Sequence, residues 1–146
     1  MIQLNEISQS VLACGVDIPK VMLVEDDPVT RWMVRSALKD ACILSIVSSS
    51  DNFMIKYKAV NQYLSFLPDM VLLDIDLTPA DGKDLLLDIM LIDPDAYVVM
   101  FSAHNTEENI RKTIEHGAKG FITKPFEKNI IQQYIDDALL WKTKNF

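Results

Sequence analysis

Five short apolar runs punctuate the chain, and none of them alternates with polar residues. They are Val21-Met22-Leu23-Val24, Ile43-Leu44-Ser45-Ile46-Val47, Met70-Val71-Leu72-Leu73, Tyr97-Val98-Val99-Met100-Phe101 and Gly120-Phe121-Ile122-Thr123. Alternation would mark strands with one wet face; continuous runs rich in branched residues mark strands covered on both faces, as in a parallel sheet. Parallel neighbours cannot be joined by tight turns, so each gap must hold a crossover, usually a helix.

Helical patterns fill every gap. Asp27-Pro28 reads as an N-cap followed by proline at the first helical position, opening a helix through Trp32, Met33 and Leu38. After Ser50-Asp51, the residues Phe53, Tyr57, Val60, Leu64 and Leu67 recur at helical spacing until Pro68 stops them. Asp81-Gly82 precedes Leu85, Leu86, Ile89 and Met90, with Pro94 as the stop. Thr106, Glu107 and Glu108 start a fourth helix through Ile110 and Ile114, closed by Gly117. Ile130, Ile131, Tyr134, Ile135, Ala138 and Leu139 make the fifth. A strand–helix unit repeated five times predicts an α/β fold, a doubly wound five-stranded parallel sheet, (βα)5, over residues 20–146. Residues 1–19 form an extension, set apart by Gly15 and Pro19.

At 146 residues with 49% hydrophobic and 24% charged side chains, the chain suits one globular domain and excludes a low-complexity segment. A net charge of −7 argues against direct nucleic-acid binding, which needs clustered cations. No apolar run reaches the ~20 residues of a membrane crossing, and the first residues lack the pattern of a signal peptide. Two cysteines, Cys14 and Cys42, are too few for a disulfide framework. The expectation is a cytoplasmic protein.

Ligands of open α/β sheets bind beyond the carboxyl ends of the strands. There the sequence delivers Glu25-Asp26-Asp27 after the first strand, Asp74-Ile75-Asp76 after the third, Ser102-Ala103 after the fourth and Lys124-Pro125 after the fifth. Carboxylates crowded into a cleft repel and raise one another's pKa. A hard divalent cation relieves this, and a few oxygen ligands suit Mg²⁺. Asp74 can then remain ionised and attack phosphorus, while Lys124 and the Ser102 hydroxyl hold the oxygens that gain charge. Asp27 and Asp81 are expected as cap and turn residues, His104 and His116 at the surface, and Trp32 and Trp141 as helix packing residues.

The segments VMLVEDDP, MVLLDIDLTPADG, VVMFSAH and GFITKPF, in this order and spacing, resemble those of response-regulator receiver domains of two-component signalling. The resemblance covers about residues 20–142 and implies a flavodoxin-like strand order 2-1-3-4-5. It implies that Asp74 is the phospho-acceptor, supplied by a sensor histidine kinase or a phosphotransfer protein. It implies Mg²⁺, with Mn²⁺ as a possible substitute, held by Asp26, Asp74 and the backbone carbonyl of Asp76, with Glu25 acting through water. Ser102 and Lys124 would bind the phosphoryl group, Lys124-Pro125 would be a cis peptide, and Phe121 would be the aromatic switch residue. The changing face would be the fourth helix, fifth strand and fifth helix, about 106–142, offered to an unknown downstream protein; a dimer through the two helices is compatible with this. Residue 78 is Thr where receivers usually have Pro, with Pro79 next. Gly82 stands where the family's loop commonly has glycine. Asp76 adds a carboxylate beside the acceptor, expected to slow phosphorylation by repulsion or to shorten the phosphorylated state as a base in hydrolysis.

Other readings remain open on sequence. Asp74-Ile75-Asp76-Leu77-Thr78 also matches DxDx[TV], the nucleophile motif of haloacid-dehalogenase-like phosphatases. That motif ends the first strand in those enzymes, whereas a strand with its own acids precedes it here. They also need a later acidic pair at a strand end, and Asp136-Asp137 fall inside a helical pattern. A pseudo-receiver that never takes phosphate usually lacks the acceptor, an acid or the lysine; all are present. No output module follows within the chain, so output is expected through docking, unless this is the receiver part of a longer protein such as a hybrid histidine kinase.

Overall fold

A computed structural model describes residues 18–48, 54–77 and 80–145. In chain order the elements are β1 (Lys20–Val24), α1 (Pro28–Ala37), β2 (Ile43–Val47), α2 (Ile55–Phe66), β3 (Met70–Asp74), β4 (Asp76–Leu77), β5 (Ala80–Asp81), α3 (Gly82–Ile92), β6 (Val98–Ser102), α4 (Glu107–Glu115), β7 (Gly120–Thr123) and α5 (Lys128–Asn145). Among these, five strands make one parallel sheet in the order β2-β1-β3-β6-β7, the expected 2-1-3-4-5 with the small β4–β5 ribbon counted separately. That antiparallel ribbon pairs Asp76 with Asp81 and Leu77 with Ala80. Two residues per strand leave no periodicity to read, and the sequence did not show it.

The continuous apolar strands behave as their composition requires. Met22, Val24, Val71, Leu73, Val98 and Met100 face one core with Ile55, Ala59 and Tyr63 of α2 and Leu85, Leu86 and Ile89 of α3. Their neighbours Val21, Leu23, Met70, Leu72, Val99 and Phe101 face the other core with Val34 of α1 and Ile131, Ile135 and Ala138 of α5. Burial on both faces removes the solvated side that alternation would have recorded.

The helix stops and starts are chemical. Asp27 caps α1 by accepting from the Thr30 amide, with Pro28 in the first turn. Thr106 caps α4 through the Asn109 amide, and Gly117 beyond its end has φ +107, a conformation glycine adopts without Cβ strain. Three expectations about faces fail. Trp32 is 65% exposed, and α1 buries Val34 instead. In α2 the buried stripe is Ile55, Ala59 and Tyr63, whereas Tyr57 and Leu64 lie outside. Ile114 of α4 is exposed and Thr113 is the buried residue. In each helix two stripes satisfy the helical period, and only the helix's rotation on the sheet chooses between them. Trp141 does take partners, donating to the Asp95 carbonyl and stacking under Lys119 Nζ at 4.6 Å. The extension through residue 17, Phe53, Thr78 and Pro79 lie outside the described residues.

Candidate functional site

Parallel register brings the strand ends to one rim. Val24 pairs with Leu73, Asp74 with Phe101, and Ser102 with Thr123, so the residues following β1, β3, β6 and β7 emerge side by side. Asp74 is the last residue of β3 and is buried to 2% exposure; Glu25 follows β1 and is 1% exposed. Lys124, directly after β7, places its Nζ 2.9 Å from Glu25 Oε2 and 3.3 Å from Asp74 Oδ1. The ammonium also lies 4.7 Å from the centroid of the Phe101 ring. The Lys124-Pro125 peptide bond is cis.

The loops are fixed by backbone chemistry. The Asp76 amide donates to Asp74 Oδ1 at 3.1 Å, and the Asp27 amide donates to Glu25 Oε1 at 3.1 Å. Arg31 of α1 reaches back and donates to the Asp26 carbonyl at 2.6 Å, clamping the acidic loop onto its helix. Gly82 donates to the Ile75 carbonyl at 2.8 Å and packs directly against the Asp74 backbone.

The sequence named Ser102 and Asp76 but not the hydrogen bonds that join them to each other and to His104. Ser102, fully buried at the end of β6, donates from Oγ to Asp76 Oδ2 at 3.0 Å. His104, expected as an isolated surface residue, sets Nδ1 2.9 Å from the same Asp76 oxygen while its amide donates to Ser102 Oγ at 2.9 Å. Its ring is exposed, as expected, yet it belongs to the site. The available signal was positional: Asp76 and His104 each stand two residues past a strand-end site residue. Arg31 carried no comparable signal. Phe121 is half-buried on β7 and packs at the margin of the α2–α3 core.

Electrostatics at the rim are unbalanced. Burial pushes the Glu25 carboxyl up to about 7; the Lys124 hydrogen bond opposes this and the Asp74 charge adds to it. Burial alone would pull the Lys124 ammonium down, but Glu25 and Asp74 outweigh it and raise its pKa. One ammonium is thus shared by two buried carboxylates, and Asp26 follows Glu25 in the same loop. An all-oxygen donor set with surplus negative charge fits a hard divalent cation. Mg²⁺ takes few protein ligands and keeps several waters; among the described residues no group of three His, Cys, Asp or Glu side chains is arranged to hold a metal by itself.

The model of the response regulator receiver domain family matches residues 21–136, four-fifths of the chain. The chain belongs to this family. The receiver is 34% identical over 119 residues to the chemotaxis protein CheY of Listeria monocytogenes, covering 82% of this chain and 97% of that one. It is 32% identical over 120 residues to CheY of Halobacterium salinarum, covering 82% and 96%. A CheY-like receiver from Methanospirillum hungatei superposes with TM-score 0.76 at 16% identity, covering 88% of this chain and all of that one, a likeness of fold. CheY in a complex with CheX, beryllium fluoride and magnesium from Borrelia burgdorferi matches with TM-score 0.72 at 26% identity, covering 88% and 93%. Receivers are two-component signalling switches, and phosphorylation and Mg²⁺ are general features of the family. Against the phosphatase reading, Asp136 and Asp137 are exposed along α5, away from the rim. Among the described residues no helix is long and apolar enough to cross a membrane.

Proposed function

We propose that this receiver accepts a phosphoryl group on Asp74 from the phosphohistidine of a sensor kinase or phosphotransfer protein in the cytoplasm. The observation that carries the reading is the buried Asp74 carboxylate at the end of the central strand, 3.3 Å from Lys124. An Asp74 oxygen attacks phosphorus, the phosphorus–nitrogen bond to the donor imidazole breaks, and the electron pair leaves with the imidazole. Lys124 and Ser102 serve the equatorial oxygens as charge moves onto them. Asp26, Asp74 and the Asp76 carbonyl, with Glu25 through water, would hold Mg²⁺ or Mn²⁺, which supplies charge neutralisation between carboxylate and phosphoryl. Binding of Ser102 and Lys124 to the new dianion shifts an existing equilibrium. Half-buried Phe121 turns inward, and the α4–β7–α5 face changes for a downstream protein.

Incubation with Mg²⁺ and acetyl phosphate, followed by intact-mass measurement, tests the assignment. One phosphoryl adduct is expected on the native protein and none on Asp74→Asn. An adduct that persists on the variant places the acceptor elsewhere.

A further inference from the structure

A serine hydroxyl has one proton to give. At Ser102 that proton is engaged: Oγ donates to Asp76 Oδ2 at 3.0 Å, and a lone pair of Oγ takes the His104 amide at 2.9 Å. A phosphoryl group offers oxygens that only accept, as the Asp76 carboxylate does. Ser102 therefore cannot serve a phosphoryl group on Asp74 while it serves Asp76. Two anions compete for one proton.

We propose that the Asp76 carboxylate is an internal competitor for Ser102, a latch that holds the unphosphorylated conformation and that the phosphoryl group must displace. The proposal rests on Asp74 being the acceptor and adds a residue that sets the switch's resting bias. The strength of the latch comes from the Ser102 end, because that residue is fully buried and a buried hydroxyl left without its acceptor is costly. The His104–Asp76 contact is exposed, at 68% and 42% for the two side chains, and adds little by itself. It adds direction instead. Asn109 in the first turn of α4 donates to the His104 carbonyl at 3.3 Å and accepts from Lys83 Nζ of α3 at 3.3 Å. The latch is thus fastened to the start of α4, and its release frees the segment that must move for the output face to change.

The test is beryllofluoride, a phosphoryl mimic, titrated with Mg²⁺ into the native protein, Asp76→Ala and Asp76→Asn, each also in a Ser102→Ala background. Asp76→Ala removes acceptor and charge, and affinity is expected to rise about tenfold, the worth of one hydrogen bond to a charged group. Asp76→Asn keeps an acceptor for Ser102 and loses the charge, and it is expected to gain less. Without the Ser102 hydroxyl, the gain from Asp76→Ala should fall to that of Asp76→Asn. An equal gain from Asp76→Ala in both backgrounds reduces Asp76 to simple charge repulsion and overturns the latch, as does no gain at all. A second readout needs no ligand. In Mg²⁺-free Asp76→Ala, the amide resonances of His104, Asn109 and the first turn of α4 should move toward their positions in the beryllofluoride-loaded native protein. Resonances that stay in place also overturn it. If native protein and Asp74→Asn take beryllofluoride alike, the acceptor assignment fails instead, and the ligand-free resonances still decide the latch.

Discussion

Gly82 holds Asp74, the proposed acceptor, in place by what it lacks. A Cβ there would stand 2.0 Å from the Asp74 carbonyl oxygen and 2.7 Å from Ile75 Cα, both backbone atoms with no rotamer to escape into. Gly82→Ala should therefore drive the start of α3 off the acceptor loop. A loss of about 3 kcal/mol in urea unfolding is expected, the upper range for overpacking, together with a weaker phosphoryl adduct by intact mass. Single residues were legible where chemistry and position coincided. Glu25, Asp26, Asp74, Ser102 and Lys124 are polar residues at the ends of apolar runs, and the register gathers them. His104 and Arg31 were not legible, because their place in the site depends on side-chain reach across loops, at 2.9 Å to Asp76 and 2.6 Å to the Asp26 carbonyl.

Among the described helices α4 is the shortest. It has nine residues, below the length at which an isolated helix persists in water. The Thr106 cap, Glu107 and Glu108 in the first turn and the Lys112–Glu108 pair at 3.0 Å support it, and the pair is exposed. Thr106→Ala is expected to cost about 1 kcal/mol. Hydrogen exchange should show that loss in α4 amides while α5 keeps its protection; equal loosening of both would contradict a local cap. Element boundaries were legible because proline, glycine and capping residues act locally. The buried faces of α1 and α2 were not. Trp32 and Tyr57 are apolar enough to lie inside and sit outside, since docking on the sheet is decided by residues far away in sequence.

The two-core architecture leaves a mark on alkaline stability. Burial pushes the Tyr97 phenol up to about 12, and the Asp137 charge and Tyr134 add to it. An unfolded tyrosine loses its proton near pH 10, so between these values the unfolded chain holds fewer protons than the native one. The stabilisation is complete below pH ~10 and is lost as pH rises through about 12. The urea midpoint should fall across that window, and Tyr97→Phe should flatten part of the fall; an unchanged slope would refute the contribution of Tyr97. At this scale the sequence was most legible, because five apolar runs alternating with five helical patterns require a parallel sheet with helical crossovers, while the strand order came with the family resemblance.

The ion pair between Lys124 and Glu25 joins residues 99 positions apart. Placed on the time axis of synthesis, that span means the carboxylates leave the ribosome long before their counter-ion exists. A nascent chain that has finished β1 and β3 carries the acids with nothing to hold a phosphoryl group beside them. On the proposed function, the ammonium that would serve the phosphoryl group arrives only with the end of β7, the strand that closes the edge beside β6.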